Sequence, residues 1–120
     1  MSEVKQTDFF AIVLGILFIL TGLPKVIGFE MAVANFNNWH LGITWRYIVG
    51  STEVILGMFM FVPILKNYAA FLYFSMMPAA FMVHLVANEN LMLIMPVGFG
   101  ILTLAYLFKQ GVLKFNLSQN

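Results

Sequence analysis

The fold class is decided by residues 9–27, which read FFAIVLGILFILTGLPKVI. A helix needs roughly 20 mostly apolar residues to cross about 30 Å of hydrocarbon, and this run has that length and composition. Three further runs of the same kind follow it, at residues 45–65, 68–87 and 91–108. The sequence therefore predicts four membrane-spanning helices.

The composition of the whole chain agrees with a membrane protein. Of its 120 residues, 62% are hydrophobic and 9% are charged, and the mean hydropathy is +0.93. A soluble domain carries about 25% charged residues, so soluble, disordered and disulfide-stabilised classes are excluded. A net charge of +1 without a basic cluster excludes a nucleic-acid-binding surface. The chain has no cysteine, which excludes thiolate nucleophiles, iron–sulfur clusters and cysteine-ligated zinc.

The polar breaks between the last three runs are short. Lys66-Asn67 and residues 88–90 allow only tight turns, so neighbouring helices must run antiparallel. The predicted fold is all-α, a transmembrane antiparallel four-helix bundle that forms one domain over residues 1–120. Residues 29–40 repeat apolar side chains at helical spacing, which predicts a short amphipathic helix on the outer interface. His40, at the end of this segment, is interpreted as an interfacial residue.

Lysine and arginine at the ends of the spans predict the orientation. Four spans place both termini on one side of the membrane. No small-residue cleavage site follows Leu20, so the first run is interpreted as a retained span and not as a signal peptide. The side with the termini would hold Lys5, Lys66, Lys109 and Lys114, and the other side Lys25 and Arg46. This bias predicts cytoplasmic termini in a bacterial cytoplasmic membrane.

Glu53 is the charged residue that is least expected in its position, well inside the second span. A carboxylate that faces lipid costs several kcal/mol, so it should face the interior of the bundle. Arg46, Gly50, Glu53 and Gly57 follow helical spacing and form one stripe. Because glycine allows another helix to approach closely, this stripe is predicted to be a packing face.

The first span carries a matching stripe of Gly15, Phe18, Gly22 and Lys25. Side chains on a helix lean toward its N-terminus. Lys25 and Glu53 lie on antiparallel helices, so their side chains lean toward each other across an axial offset of about 6 Å. The two stripes therefore predict an ion pair between Lys25 and Glu53.

The candidate site is a polar cluster in the outer half of the bundle. It consists of Lys25, Glu53 and His84, with Arg46 and Glu30 at its mouth and Arg46 leaning toward the lipid headgroups. Two interpretations stay open: a shared internal site for a ligand or protons, or a structural pair with snorkelling cations and an interfacial histidine. No metal is predicted. Two histidines, one of them interfacial, argue against haem, whereas a bundle lined by Met and Phe can hold a flat hydrophobic ligand.

Short motifs over nearly the whole chain resemble the DoxX-like family of small four-helix membrane proteins. They are TGLPK at residues 21–25, Gly28-Phe29, VANF at 33–36 with Trp39, Arg46-Tyr47, GSTE at 50–53, Gly57, Val62-Pro63 and FMVH at 81–84. The chain departs from the family where Gly42-Ile43-Thr44 replaces a frequent Gly-x-Pro, which affects only the start of the second span.

The resemblance implies two functions of different classes. Members are similar to a small subunit of quinol oxidase or thiosulfate:quinone oxidoreductase systems, so one hypothesis is a redox-associated accessory protein that binds a quinone. Eukaryotic relatives resemble assembly chaperones, so the alternative is a non-catalytic scaffold or partner subunit. Neither hypothesis rests on a recognised catalytic motif in the sequence, and whether the protein is an enzyme stays open. The expected partners are the lipid bilayer, another membrane or redox protein, and a second copy of the chain.

Overall fold

The computed structural model describes the backbone of residues 2–111 and the side chains of residues 9–111. This part of the chain contains helices and no strand, which confirms the all-α class. The elements are α1 (Ser2–Ile27), α2 (Glu30–Asn38), α3 (Gly42–Phe59), α4 (Lys66–Val86), a 3-10 turn (Asn90–Leu93) and α5 (Ile94–Lys109). The side chain of Lys5 and the whole of Lys114, which entered the orientation argument, lie outside the described residues.

Three helical segments are long and apolar enough to cross a membrane. They are Phe9–Ile27, Lys66–Val86 and Asn90–Lys109. Helix α3 is not among them, because its polar residues, Arg46 and Glu53 above all, make its 18 residues less apolar than the other three segments. The first, third and fourth predicted spans thus have helices of the required kind, and the second span stays a prediction.

The boundary between the second and third runs differs from the prediction. Helix α3 ends at Phe59, and Lys66 is already the first residue of α4, whereas the polar pair Lys66-Asn67 was expected to form the turn. Pro63 explains the difference, because proline lacks a backbone N–H and disfavours helical backbone in the residue before it. Residues 60–65 therefore form successive turns despite their apolar composition.

Helices α1 and α3 pack closely along their glycine stripes. A Cβ atom added at Gly15 would lie 2.8 Å from the carbonyl oxygen of Gly57, and one added at Gly50 would lie 2.9 Å from that of Gly22. These distances are too short for any side chain, so glycine is required for the two backbones to approach this closely. The order of the pairs shows that α1 and α3 are antiparallel.

Aromatic side chains form the core where α1, α4 and α5 meet. Phe18 of α1 stacks on Tyr73 of α4, with ring centroids 3.6 Å apart and an angle of 2° between the ring planes. Phe10 packs edge-on against Tyr106 of α5, with centroids 5.3 Å apart. Phe18, Tyr73 and Tyr106 are all fully buried. Since these contacts fix α4 against α1, they also fix the side chains of α4 that face the α1–α3 interface.

Helix α2 occupies the segment that was predicted to be amphipathic. It begins after Gly28, whose φ of +78° reverses the chain at the end of α1. The Phe36 side chain is buried, whereas Glu30 and Met31 are exposed. The helix is therefore two-sided, as the spacing predicted, and it packs on α3.

Candidate functional site

Lys25 and Glu53 form an ion pair between α1 and α3. Lys25 lies in the last turn of α1, and its Nζ is 2.6 Å from Oε1 of Glu53. The same ammonium group donates a hydrogen bond to the carbonyl oxygen of Thr21, at 2.9 Å. Glu53 is only 5% exposed. The close approach of the glycine stripes and the opposed directions of the two side chains bring these charges together.

Two hydroxyl groups surround the second carboxylate oxygen of Glu53. The Tyr73 hydroxyl donates to Oε2 at 3.0 Å, and the Thr21 Oγ1 lies 3.2 Å from Oε2 and 3.1 Å from the Tyr73 oxygen. Thr21 has one hydroxyl proton, and the carbonyl oxygen of Phe18, at 2.8 Å, is a further acceptor for it. Both oxygens of Glu53 therefore have donors within hydrogen-bonding distance, from α1 and α4, so the carboxylate of α3 joins three helices.

The sequence analysis missed both hydroxyl residues, although a signal for each is present. Thr21 lies one helical turn before Lys25 and therefore on the same face of α1. Tyr73 precedes Met77, Ala80 and His84 at spacings of four, three and four residues, which define one face of α4. Extending the stripe backward from His84 would have placed Tyr73 beside the cluster.

Arg46 and Glu30 are not placed as expected. Arg46 is 5% exposed and donates to the carbonyl oxygen of Lys25, and its guanidinium lies over the ring of Tyr47. The last carbonyl groups of a helix lack partners within the helix, so Arg46 is held at the end of α1 instead of extending toward headgroups. Glu30 is exposed and forms no hydrogen bond or ion pair with the described side chains of the cluster.

A second polar group joins α2, α4 and the turn after α4. Oε1 of Glu89 lies 2.8 Å from Nδ1 of His84 and accepts a hydrogen bond from Nε1 of Trp39 at 3.0 Å. The Trp39 ring packs edge-on against His84, with centroids 5.2 Å apart. Asn88 adopts a φ of +61°, and this reversal lets the backbone N–H of Glu89 bond to the carbonyl oxygen of His84. The turn thereby returns the Glu89 side chain to the end of α4.

These contacts change the titration of Glu89. The hydrogen bond with His84 is the largest cause, and it lowers the pKa of the Glu89 carboxyl below its ordinary value. Partial burial opposes this shift, and the hydrogen bond from Trp39 adds to it. Glu89 is therefore held as a carboxylate, which accepts hydrogen bonds and donates none.

An apolar groove of about 490 Å³ lies between α3 and α4, below α2. We call it the α3–α4 groove. Apolar side chains form its walls: Trp39, Leu41, Trp45, Ile48, Val49, Met76, Ala79 and Val83, with Phe36 at the α2 side. The polar groups that reach it include Lys25, Glu53 and His84. The groove thus has a long apolar surface and a few polar atoms together, which is the usual composition of a small-molecule site.

A smaller cavity of about 170 Å³ lies between α1, α4 and α5. The residues that line this cavity but not the α3–α4 groove include Thr21, Tyr73, Met92 and Phe99. Five residues line both this cavity and the α3–α4 groove: Lys25, Glu53, Met77, Ala80 and His84. The structure therefore brings three of the predicted site residues, Lys25, Glu53 and His84, to the boundary of the two cavities. His84 reaches this boundary without a hydrogen bond to Lys25 or Glu53.

The kind of ligand that this boundary can bind depends on its unused hydrogen-bonding groups. Two of the three protons of the Lys25 ammonium have acceptors, which leaves one for a ligand oxygen. Among the described residues, none forms a hydrogen bond with Nε2 of His84. No group of three or more histidine and carboxylate side chains in the described part could hold a metal ion. The arrangement suits recognition of an oxygen-bearing organic molecule.

Comparison with known protein families gives one match. The family model described as DoxX matches residues 9–85, which is about two thirds of the chain. The matched segment contains Lys25, Glu53, Tyr73 and His84, and it ends before Glu89. No curated protein and no solved structure matched the chain.

Proposed function

The chain belongs to the DoxX family of membrane proteins, and we propose that it binds a flat hydrophobic molecule of the quinone type in the α3–α4 groove. In this proposal the protein is an accessory component of a redox system, and it holds or presents the molecule. The polar head lies against Lys25 and His84, and the apolar part lies along α3 and α4. No catalytic step is assigned to the chain.

The groove itself is the observation that carries this proposal. Its volume of about 490 Å³ falls in the range of roughly 300–1,000 Å³ that is typical of ligand pockets. Trp39 and Trp45 supply flat aromatic surfaces against which a ring can pack. A ligand carbonyl at the polar end can accept the remaining proton of the Lys25 ammonium. Glu53, Tyr73 and Thr21 then serve to hold Lys25 in place.

The proposal includes a fourth membrane span. Helix α3 is less apolar than the other three, but its two charged side chains, Arg46 and Glu53, are each 5% exposed. Buried and paired charges do not face lipid, so their cost in a membrane is reduced. We therefore propose an antiparallel four-helix bundle with α2 on the outer interface and with both termini in the cytoplasm.

The orientation can be tested in this cysteine-free chain. Single cysteines are introduced at Ser2 and at Asn88, and an impermeant thiol reagent is added to intact spheroplasts. We expect labelling at position 88 and none at position 2. Labelling at position 2 alone would show the opposite orientation.

The ligand proposal is tested by analysing the protein after purification in mild detergent. Its ultraviolet absorbance and the mass spectrum of an organic extract are compared with those of an unrelated four-span protein from the same membranes. We expect about one equivalent of an aromatic lipid-soluble compound that is absent from the control. A protein that carries only bulk phospholipid, and that takes up no added quinone, would contradict the proposal.

A scaffold function is the second candidate, and the contacts of Glu53 favour it. Its carboxylate joins α1, α3 and α4 through Lys25, Thr21 and Tyr73. Such a group can set the geometry of a bundle that binds another membrane or redox protein, or a second copy of the chain. An empty groove together with strong coupling between Lys25 and Glu53 would favour this alternative.

A further inference from the structure

The tautomer of His84 is determined by its contact with Glu89. The indole N–H of Trp39 can only donate, so Oε1 of Glu89, 3.0 Å away, must be an acceptor. The same oxygen lies 2.8 Å from Nδ1 of His84. Glu89 is held as a carboxylate by its lowered pKa, and a carboxylate oxygen can only accept. Nδ1 therefore carries a proton and donates it to Glu89.

The other ring nitrogen then has a defined character. When His84 is neutral, its imidazole carries one proton, so a proton on Nδ1 leaves Nε2 with a lone pair that accepts a hydrogen bond. None of the described residues bonds to Nε2, and His84 lines both the α3–α4 groove and the adjoining cavity. The neutral side chain of His84 therefore adds an acceptor, Nε2, to the residues that line the groove, beside the donor at Nζ of Lys25.

We propose that Glu89 and Trp39 are positioning residues that keep Nε2 of His84 as an acceptor, so that the site selects aromatic molecules with a ring hydroxyl. This inference rests on the proposed function and names the chemistry of its ligand: a phenol, or the reduced quinol form of a quinone. The hydroxyl proton is donated to Nε2 of His84. A ligand without that proton covers this acceptor and leaves it unpaired.

The matched family segment ends at residue 85, so Glu89 is a feature of this chain beyond that match. The effect of Glu89 should be visible as a difference in affinity between ligands with and without a ring hydroxyl. A buried acceptor that loses its partner weakens binding by about tenfold, which is the usual effect of one unpaired buried group. We expect a preference of about this size for the hydroxyl form.

The tautomer is measured first, without any ligand. Histidine labelled with 15N is incorporated into a His40→Gln variant, which leaves His84 as the single histidine. At alkaline pH, two-bond proton–nitrogen spectra distinguish a protonated Nδ1 from a protonated Nε2. We expect a protonated Nδ1, and a shift toward the Nε2 tautomer after Glu89→Met, which removes the acceptor. A protonated Nε2 before that substitution would overturn the proposal.

The selectivity is measured with two alkylated naphthalenes that differ only in a hydroxyl or a methoxy group. Their binding is followed by quenching of tryptophan fluorescence in detergent. We expect about tenfold tighter binding of the hydroxyl probe, and a ratio near one after Glu89→Met. Effects of size and micelle partition remain the same in the variant, so they cannot produce this change. An unchanged ratio, or no preference before the substitution, would overturn the proposal.

Failure of this inference differs from failure of the proposed function. Binding of both probes with equal affinity overturns the hydroxyl selectivity alone. If neither probe binds, or if Ala80→Phe leaves the affinity for both probes unchanged, the proposed function fails and the selectivity fails with it. If Glu89→Met does not fold, the tautomer and the probe ratio measured with Glu89 in place still decide the question.

Discussion

Gly50 lies directly against Lys25: a Cβ atom added at Gly50 would be 2.6 Å from the Cβ of the lysine. Glu53 follows Gly50 by one helical turn on the same face of α3. The missing side chain at position 50 therefore lets the end of α1 approach α3 closely enough for the 2.6 Å ion pair between Lys25 and Glu53. Backbone packing and the buried charges are coupled at this point.

Gly50→Ala should disturb both the close packing of α1 on α3 and the ion pair between Lys25 and Glu53. The added Cβ cannot be accommodated without moving α1, and overpacking of this kind costs about 1–3 kcal/mol. The free energy of unfolding in mixed micelles of dodecyl sulfate and a mild detergent measures the loss. Gly98→Ala is the matched control, because a Cβ there meets nothing within 4 Å. Equal stability of the two variants would contradict the close approach of α1 and α3.

Removing one charge of the ion pair should lower the free energy of unfolding more than removing both charges. Glu53→Gln strands the Lys25 ammonium in a largely buried position, and breaking a buried pair costs about 3–5 kcal/mol. Adding Lys25→Met should recover part of this loss. A double-mutant cycle on the unfolding free energy measures the coupling. Additive effects of the two substitutions would mean that the charges do not stabilise each other.

Tyr73→Phe should remove the hydrogen bond to the Glu53 carboxylate without creating a large cavity. The variant removes a hydrogen bond to a charged group, which typically contributes about 1.5–3 kcal/mol. Tyr68→Phe is the control on the same helix, since Tyr68 is 71% exposed. The same unfolding assay should show a clear loss for Tyr73→Phe and almost none for Tyr68→Phe. Matching losses at both positions would contradict the assigned contact.

Acid should release the contact between Glu89 and Trp39. Because the pKa of Glu89 is lowered in the folded protein, its contribution to stability is present above the unfolded pKa, about 4.3. This contribution is lost as pH falls through the folded pKa. In a Trp45→Phe background, the change in Trp39 fluorescence that depends on Glu89 should occur below the ordinary range of a glutamate. Glu89→Gln should remove this transition, and a Glu89-dependent transition at or above the ordinary value would contradict the shift.

The ion pair was predictable because glycine and charged residues repeat at helical spacing on two neighbouring helices. Tyr73 was harder to predict, because one aromatic residue within an apolar run carries no signal until its helix is oriented against α1. Glu89 lay in an apparent turn, and only the left-handed backbone of Asn88 returns it to His84. Arg46 was misjudged because its guanidinium donates to the open carbonyl oxygen of Lys25 at the end of α1. Contacts set by one helix face follow from sequence, whereas contacts set by a turn do not.

The central claim is that the α3–α4 groove holds a flat hydrophobic molecule, and a binding titration tests it most directly. A short-chain quinone is added to the purified protein in mild detergent, and quenching of tryptophan fluorescence is followed. Ala80→Phe fills the groove, whereas Ala105→Phe adds the same side chain at an exposed position of α5. We predict saturable binding that Ala105→Phe preserves and that Ala80→Phe weakens by about tenfold or more. Quenching that does not saturate, or that is identical in the two variants, would contradict the claim.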